Sequence, residues 1–256
     1  MTKFHFKPSN KGLLKFRDNY YSQNGEDGII LELIKRLDLN KLEVCEFGAW
    51  NGVHLSNTFN LIKNYNAKAV LIEGDEEKFK DLIKTSKSYK NITPIQAYIN
   101  IKENSLDKIL SNTFLKKDFD ILSIDIDSND LEIWESLNNY SPKIVIIEIQ
   151  SNILPGIIER YNYENKTFNS FTSTIKSGIN KGYTAVAHTG NLLFVRNDYL
   201  NKVNLEKNLI DNSEKLFIYD WVNKDRTKRY LKKILPKVIV SILKILKKYF
   251  IRLFSL

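Results

Sequence analysis

The chain has 256 residues, 43% of them hydrophobic, enough for one α/β domain with a full core and an appendage. Its net charge of +9 is gathered at one end: residues 224–256 carry eleven Lys/Arg against Asp225 alone, while residues 1–223 hold 28 basic and 29 acidic side chains. A near-neutral body disfavours a nucleic-acid groove, which needs its phosphate-neutralising charge on the folded face.

Cys45 is the single cysteine, so no internal disulfide can form and a reducing compartment is expected. The opening MTKFHFKPSNKG lacks the apolar core of a secretion signal, and a cytoplasmic protein is expected.

Residues 1–24 read as an irregular lead-in with aromatic anchors. A helix is expected from Glu26, with Ile29, Ile30, Leu33, Ile34 and Leu37 at helical spacing. Glu43–Phe47 reads as a first strand, followed by a loop with two glycines. Ser56 or Asn57 caps a helix running to about Asn64. Ala69–Ile72 is a second strand, Glu76–Lys87 a charged helix, Ile92–Tyr98 a third strand and Ser105–Leu110 a short helix. Phe119–Ile126 and Lys143–Ile149 read as strands, with a helix around Leu131–Leu137 between them. The second of these is almost continuously apolar, as a strand buried on both faces should be. Residues 151–169 read as a loop over the sheet edge, with Tyr161, Tyr163 and Phe168 able to cover a site or pin the loop. Phe171–Lys181 is a helix ended by Gly182. Tyr183–Ala187 and Leu192–Arg196 form a hairpin, closing the core near Val195. Alternating strands and helices predict a doubly wound, mostly parallel sheet.

Acids recur where those strands end: Glu46, Glu73, Asp125 with Asp127, and Glu148. The carboxyl edge of an open α/β sheet is where ligands bind. Strand-end acids can also be merely solvated or cap the next helix, but several at one edge favour a site. The loop LEVCEFGAWNG keeps only Gly48 and Gly52, with Trp50 where a dinucleotide fingerprint has its middle glycine. A pyrophosphate would reach this backbone poorly, so a nucleoside cofactor without phosphates fits better.

Six segments together resemble the FkbM-like group of class I S-adenosylmethionine-dependent methyltransferases. They are SQNGEDG (Ser22–Gly28), EFGAWNG (Glu46–Gly52), HLSNT (His54–Thr58), IEGD (Ile72–Asp75), SIDIDSND (Ser123–Asp130) and GYTAVAHTGNLLFV (Gly182–Val195). Trp50 and Asn51 stand where relatives carry smaller or acidic residues, and Ser128 where many have glycine. The resemblance implies a Rossmann-like seven-stranded sheet whose last strand is antiparallel. It implies that Gly48 and Gly52, with Ala49, let the loop approach the methionine part of the cofactor, and that Glu46 faces its amino group. Glu73, beside Gly74, would accept the ribose hydroxyls, Gln96 would lie by the adenine, and Asp125 would stand between cofactor and substrate.

Transfer to an alcohol also needs a base. Asp127, Glu148 and His188 are candidates beside Asp125, although His188 can equally order its hairpin through a backbone hydrogen bond. Asp125, Asp127 and Glu148 are hard oxygen ligands that could instead hold Mg2+. The resemblance implies O-methylation of a sugar, glycan or lipid-linked cell-envelope intermediate. A noncatalytic methyltransferase-fold binding protein of a glycan-assembly complex is the alternative, and a nucleic-acid methyltransferase is disfavoured by the neutral body.

The expected domains are 1–223, the methyltransferase body, and 224–256, a basic amphipathic helical tail. On a helical wheel Leu235, Ile239, Ile242, Leu246, Tyr249 and Leu253 share one face, and Lys233, Lys237, Lys244, Lys248 and Arg252 the other. No apolar run reaches the ~18–20 residues of a membrane span. Such a tail suits peripheral binding to an anionic membrane, or packing against a partner subunit. Truncation after Asn223 is therefore expected to release the protein from anionic vesicles in a sedimentation assay while cofactor affinity is kept. Equal sedimentation of full-length and truncated chains would remove the membrane role.

Overall fold

The computed structural model describes residue 9 and residues 11–223, and the tail lies outside the described residues. Short runs of β-branched and aromatic residues build seven strands: β1 (Glu43–Phe47), β2 (Lys68–Glu73), β3 (Ile92–Gln96), β4 (Ile121–Ile124), β5 (Ile144–Glu148), β6 (Tyr183–His188) and β7 (Asn191–Arg196). They form one sheet in the order β3-β2-β1-β4-β5-β7-β6. β7 runs antiparallel to both of its neighbours, and the other pairings are parallel. The sheet is the expected mixed, Rossmann-like α/β architecture.

Period-two alternation divides the apolar residues between two cores. Cys45, Phe47, Val70, Ile72, Val145 and Ile147 face one side, where α5 (Asp130–Ser136) and α6 (Phe171–Asn180) contribute Trp134 and Phe171. Val44, Ala69, Leu71, Ile144 and Ile146 face the other. There α1 (Glu26–Leu37), α2 (Phe59–Asn64) and α3 (Glu76–Ser88) cover them with residues such as Ile30, Phe59 and Leu82. Every residue of β5 before Glu148 is fully buried, which explains its unbroken apolar run. A short helix, α4 (Leu106–Leu110), is capped by Ser105, whose hydroxyl accepts from the Lys108 amide.

Three boundaries differ from the expectation. β4 is shorter than Phe119–Ile126 because the chain leaves the sheet at Asp125, and Asp127 adopts a left-handed φ of 57°. The Asp130 carboxylate holds that exit, accepting from the amides of Ile126 (2.8 Å) and Ser128 (2.9 Å). β3 ends at Gln96, two residues before Tyr98. The core also continues past Val195. Val203, Leu209, Leu216, Phe217 and Val222 are all buried, and the last four belong to the core that contains Trp134 and Phe171.

The order of strands reverses between β1 and β4, each chain leaving the sheet toward a different side, which opens a crevice at their carboxyl ends. Gly48 closes the floor of that crevice. Its φ is +76°, and a Cβ there would lie 1.6 Å from the Asp125 carbonyl oxygen. The missing side chain thus lets the β1 exit touch the β4 exit. The contact predicts a structural failure: even Gly48→Ala is expected to unfold at markedly lower denaturant, by at least ~2 kcal/mol. A wild-type midpoint in urea would show that the exits can separate without cost.

Candidate active site

The carboxyl ends of β1, β2, β4 and β5 surround a cavity of about 640 Å3. Glu46, Glu73, Asp125, Asp127 and Glu148 all border it, as do Gly48, Ala49 and Gly74. The structure therefore brings together five of the six acidic and basic residues singled out from the sequence.

Glu73 is buried at the tip of β2. One carboxylate oxygen accepts from the Trp50 amide and the other from the Asp75 amide, both at 2.8 Å. Each oxygen retains acceptor capacity. Two parallel acceptors on a rigid strand end match a vicinal diol. Glu46 is used differently: Ser56 Oγ (2.6 Å), Thr58 Oγ1 and the Asn57 amide (3.1 Å) all donate to it. Burial raises its pKa and those bonds oppose the shift. It ties the β1 end to the segment entering α2, where Ser56 Oγ also accepts from the Phe59 amide at 3.0 Å. The cap expected of Ser56 or Asn57 falls instead on Thr58, which makes no side-chain capping bond, while Ser56 braces the turn before it.

Asp125 and Glu148 face each other across the β4–β5 boundary, at the carboxyl edge of the sheet. Oxygens of Asp125, Asp127 and Glu148 lie within 4.8 Å of one another. Burial is the main cause of both shifts: Asp125 is pushed up to about 7 and Glu148 to about 10, with each other's charge and Asp127 adding to the effect on Glu148. The two carboxyls share a proton and titrate as a pair. Such a pair can accept a proton from a neighbouring hydroxyl near neutral pH. The same three oxygens form a hard donor set of the kind Mg2+ takes.

Three sequence assignments are corrected by the geometry. Gly52 does not border the cavity; a Cβ there would meet Leu82 Cδ1 at 2.8 Å, so its role is to seat the loop on α3. The Thr85 hydroxyl reinforces that seat by donating to the Asn51 carbonyl at 2.8 Å. Gln96 is exposed and does not border the cavity, whose wall is formed there by Ala97, Tyr98 and Ile99 as β3 ends. His188 is sealed in the core, stacked on Phe217 with centroids 4.8 Å apart. Burial, and then the charge of Arg17, lower its pKa to about 3, so the ring is neutral. It accepts from the Ile218 amide on Nδ1 at 2.9 Å and contacts Ser151 Oγ through Nε2 at 2.9 Å. It is a strut, in keeping with the structural alternative weighed for it, although its backbone partner lies outside the hairpin.

Sequence reading also missed residues. Gln23 reaches the cavity because SQNGEDG is a knot: Asp27 Oδ2 accepts from the amides of Tyr20, Tyr21 and Ser22 at 2.7–2.8 Å. Glu26 fastens that knot to the β6–β7 turn by accepting from Thr189 Oγ1. Trp50, 43% exposed, stands at the rim with Lys78 Nζ 4.9 Å above its ring. Of the loop aromatics, Phe168 lines a small pocket with Asp127 and Glu148, and Phe168 and Tyr163 are both exposed.

No protein-family model matches the chain, and no curated protein matches it in sequence. Solved structures with a similar fold include the CurJ carbon methyltransferase, at 10% identity over 68% of this chain and 55% of that one, with a TM-score of 0.47. M. capricolum TrmK in complex with S-adenosyl-homocysteine matches at 13% identity over 84% and 92%, with a TM-score of 0.43. The N-terminal domain of EvdMO1 with S-adenosyl-homocysteine bound matches at 10% over 69% and 81%, also at 0.43.

The acid pair makes a prediction about stability. In the folded chain the pair holds protons above pH ~4, where unfolded carboxyls have lost theirs. The native state then binds more protons than the unfolded state, so stability falls as pH rises from about 4 toward about 10. Glu148→Gln removes one charge and keeps the shape. Its melting temperature is expected to exceed wild type by ~2 °C or more at pH ~8, with the gap shrinking at pH ~5. A gap independent of pH would dissolve the pairing.

Proposed function

We propose that the chain is an S-adenosylmethionine-dependent methyltransferase that acts on a hydroxyl of a sugar, glycan or lipid-linked cell-envelope intermediate. The observation that carries this reading is the adjacency, in one cavity, of a diol acceptor at Glu73 and a proton-sharing pair at Asp125 and Glu148.

The cavity suits a nucleoside without phosphates. Lys78 is the one lysine or arginine in its wall among the described residues, and it is engaged with Trp50. Glu73 would take the ribose hydroxyls, and Ala97, Tyr98 and Ile99 would flank the base. Gly48 and Ala49 present backbone to the remainder. Bound there, the sulfonium supplies an electrophilic methyl carbon.

This chain's residues then have two tasks. Rigid strand ends hold the acceptor oxygen in line, and positioning of that kind supplies much of the rate in a displacement. The singly protonated Asp125–Glu148 pair takes the hydroxyl proton as the oxygen–carbon bond forms and the carbon–sulfur bond breaks. The bond broken would return its electron pair to the cofactor's sulfur, so the step balances without a further reactant. A second version of the site, supported by the three converging oxygens, has Mg2+ in place of the shared proton, held by Asp125, Asp127 and Glu148.

The acceptor's lipid-linked setting agrees with the basic segment 224–256, read as a peripheral anchor on an inner, anionic membrane face. Among the described residues no helix is long and apolar enough to cross a membrane.

Calorimetric titration with S-adenosylmethionine tests the cofactor site. Glu73→Ala is expected to weaken binding at least ~10-fold, and Glu73→Gln, which keeps the size but turns one acceptor oxygen into a donor, by a similar factor. Unchanged affinity in both folded variants would sink the ribose assignment. Turnover of an acceptor should rise with pH through about 7 as the pair loses its first proton. Glu148→Gln should cost ~10²–10⁴-fold in kcat with little change in cofactor affinity. Activity lost to a chelator and restored by Mg2+ would select the metal version. Tight cofactor binding with no turnover on any envelope glycan would select the noncatalytic alternative.

A further inference from the structure

A second cavity, of about 310 Å3, opens beside the first, and Gln23 and Glu148 belong to both walls. Gln150, Ser151 and Asn152 extend its wall from the end of β5, and Gly190 and Asn191 extend it from the β6–β7 turn. Asn24, Ile149 and Trp221 complete it. Five of these side chains are primary amides: Gln23, Asn24, Gln150, Asn152 and Asn191. Among the described residues the only ionisable acid or base in the wall is Glu148, at the junction.

The floor is pinned by a relay through the buried histidine. His188 Nδ1 accepts from the Ile218 amide, so the proton of the neutral ring is on Nε2 and is donated to Ser151 Oγ at 2.9 Å. The Ser151 hydroxyl hydrogen passes to the Gly190 carbonyl at 2.8 Å. The β5 exit and the β6–β7 turn are thereby joined beneath the cavity. Trp221 is fastened to the same turn, its indole N–H donating to the Thr189 carbonyl at 2.9 Å.

We infer that this second cavity is the acceptor subsite and takes one neutral sugar ring, whose reacting hydroxyl passes over Glu148 into the larger cavity. The direction of that hydroxyl rests on the methyltransferase reading; the ligand class rests on the wall itself. A primary amide offers both donors and an acceptor, and each sugar hydroxyl is likewise both. An anionic ligand would need an arginine or lysine, and among the described residues this wall holds neither. A wholly apolar ligand would strip water from Gln23, Gln150 and Asn152, which are not buried, without replacing its bonds. The indole adds the apolar surface that the C–H face of a sugar ring requires. The volume is at the lower end for small-ligand sites, as a single ring demands.

His188, on this account, is a positioning residue of the acceptor floor. Its buried relay explains why a histidine occupies a place in the core where no proton is exchanged.

The full-length protein without cofactor is the sample, and saturation-transfer NMR is the measurement. The probes are methyl glucoside, methyl galactoside and methyl mannoside, set against glucuronate and glucose 6-phosphate, all at millimolar concentration. At least one neutral glycoside is expected to receive transfer and the two anions none. Gln150→Ala with Asn152→Ala should reduce the signal at least ~5-fold while S-adenosylmethionine affinity, measured calorimetrically, is unchanged, because neither residue borders the larger cavity. Transfer to the anions in preference, transfer to no glycoside, or a signal indifferent to the double variant would each overturn the subsite. Glycoside binding that depends on Gln150 and Asn152 in a protein that ignores S-adenosylmethionine would leave the subsite standing and overturn the methyltransferase reading alone.

Discussion

Asp125 and Glu148 follow two neighbouring parallel strands whose preceding residues are almost entirely apolar, so their charges face a dry sheet on one side and each other across it. Buried like charge of this kind is tolerable only when a proton, a cation or a ligand is shared between the groups. The surrounding structure serves that constraint. Asp130 gathers two amides to hold the β4 exit, Gly48 lets the β1 exit press against it, and Glu46, whose charge also raises Asp125, is surrounded by donors.

That local cost is carried by the two cores. The isoleucines of β5 are fully buried, and burying a side chain of that size contributes ~1.5–3 kcal/mol. A sheet anchored so firmly keeps the strand ends fixed while the loops beyond them carry the chemistry. The division explains why polar networks cluster at one edge: SQNGEDG and the β6–β7 turn are joined there through Glu26 and Thr189. The same knot presents Gln23 to both cavities. Stability and function are thus separated along each strand, apolar residues first and acids last.

His188 shows how the two can trade places. A histidine at a strand end has the right chemistry for a base, and a lone residue in a sequence gives no hint of its surroundings. Segment 197–223 decides the matter by folding back, so that Phe217 stacks on the ring and Ile218 occupies Nδ1. The helices of that segment are at most four residues long, too short to leave a periodic signal. The core consequently appeared from the sequence to close near Val195.

Strand and helix positions were legible in the sequence because each depends on a local pattern. Apolar runs ended by an acid marked β1 and β2, the continuous run marked β5, and helical spacing marked α1 from Glu26 onward. The strand-end acids were legible for the same reason, since a parallel strand delivers its last side chain to a known edge. What lies across space from each residue was decided by tertiary structure alone. Gly48 meets the Asp125 carbonyl and Gly52 meets Leu82, although both read as equivalent glycines of one loop. Glu46 and Glu73 read as equivalent acids, yet only Glu73 keeps acceptor capacity toward the cavity on both oxygens. Periodicity reports which face a side chain takes; its partners come from segments tens of residues away, and sequence order holds no record of that distance.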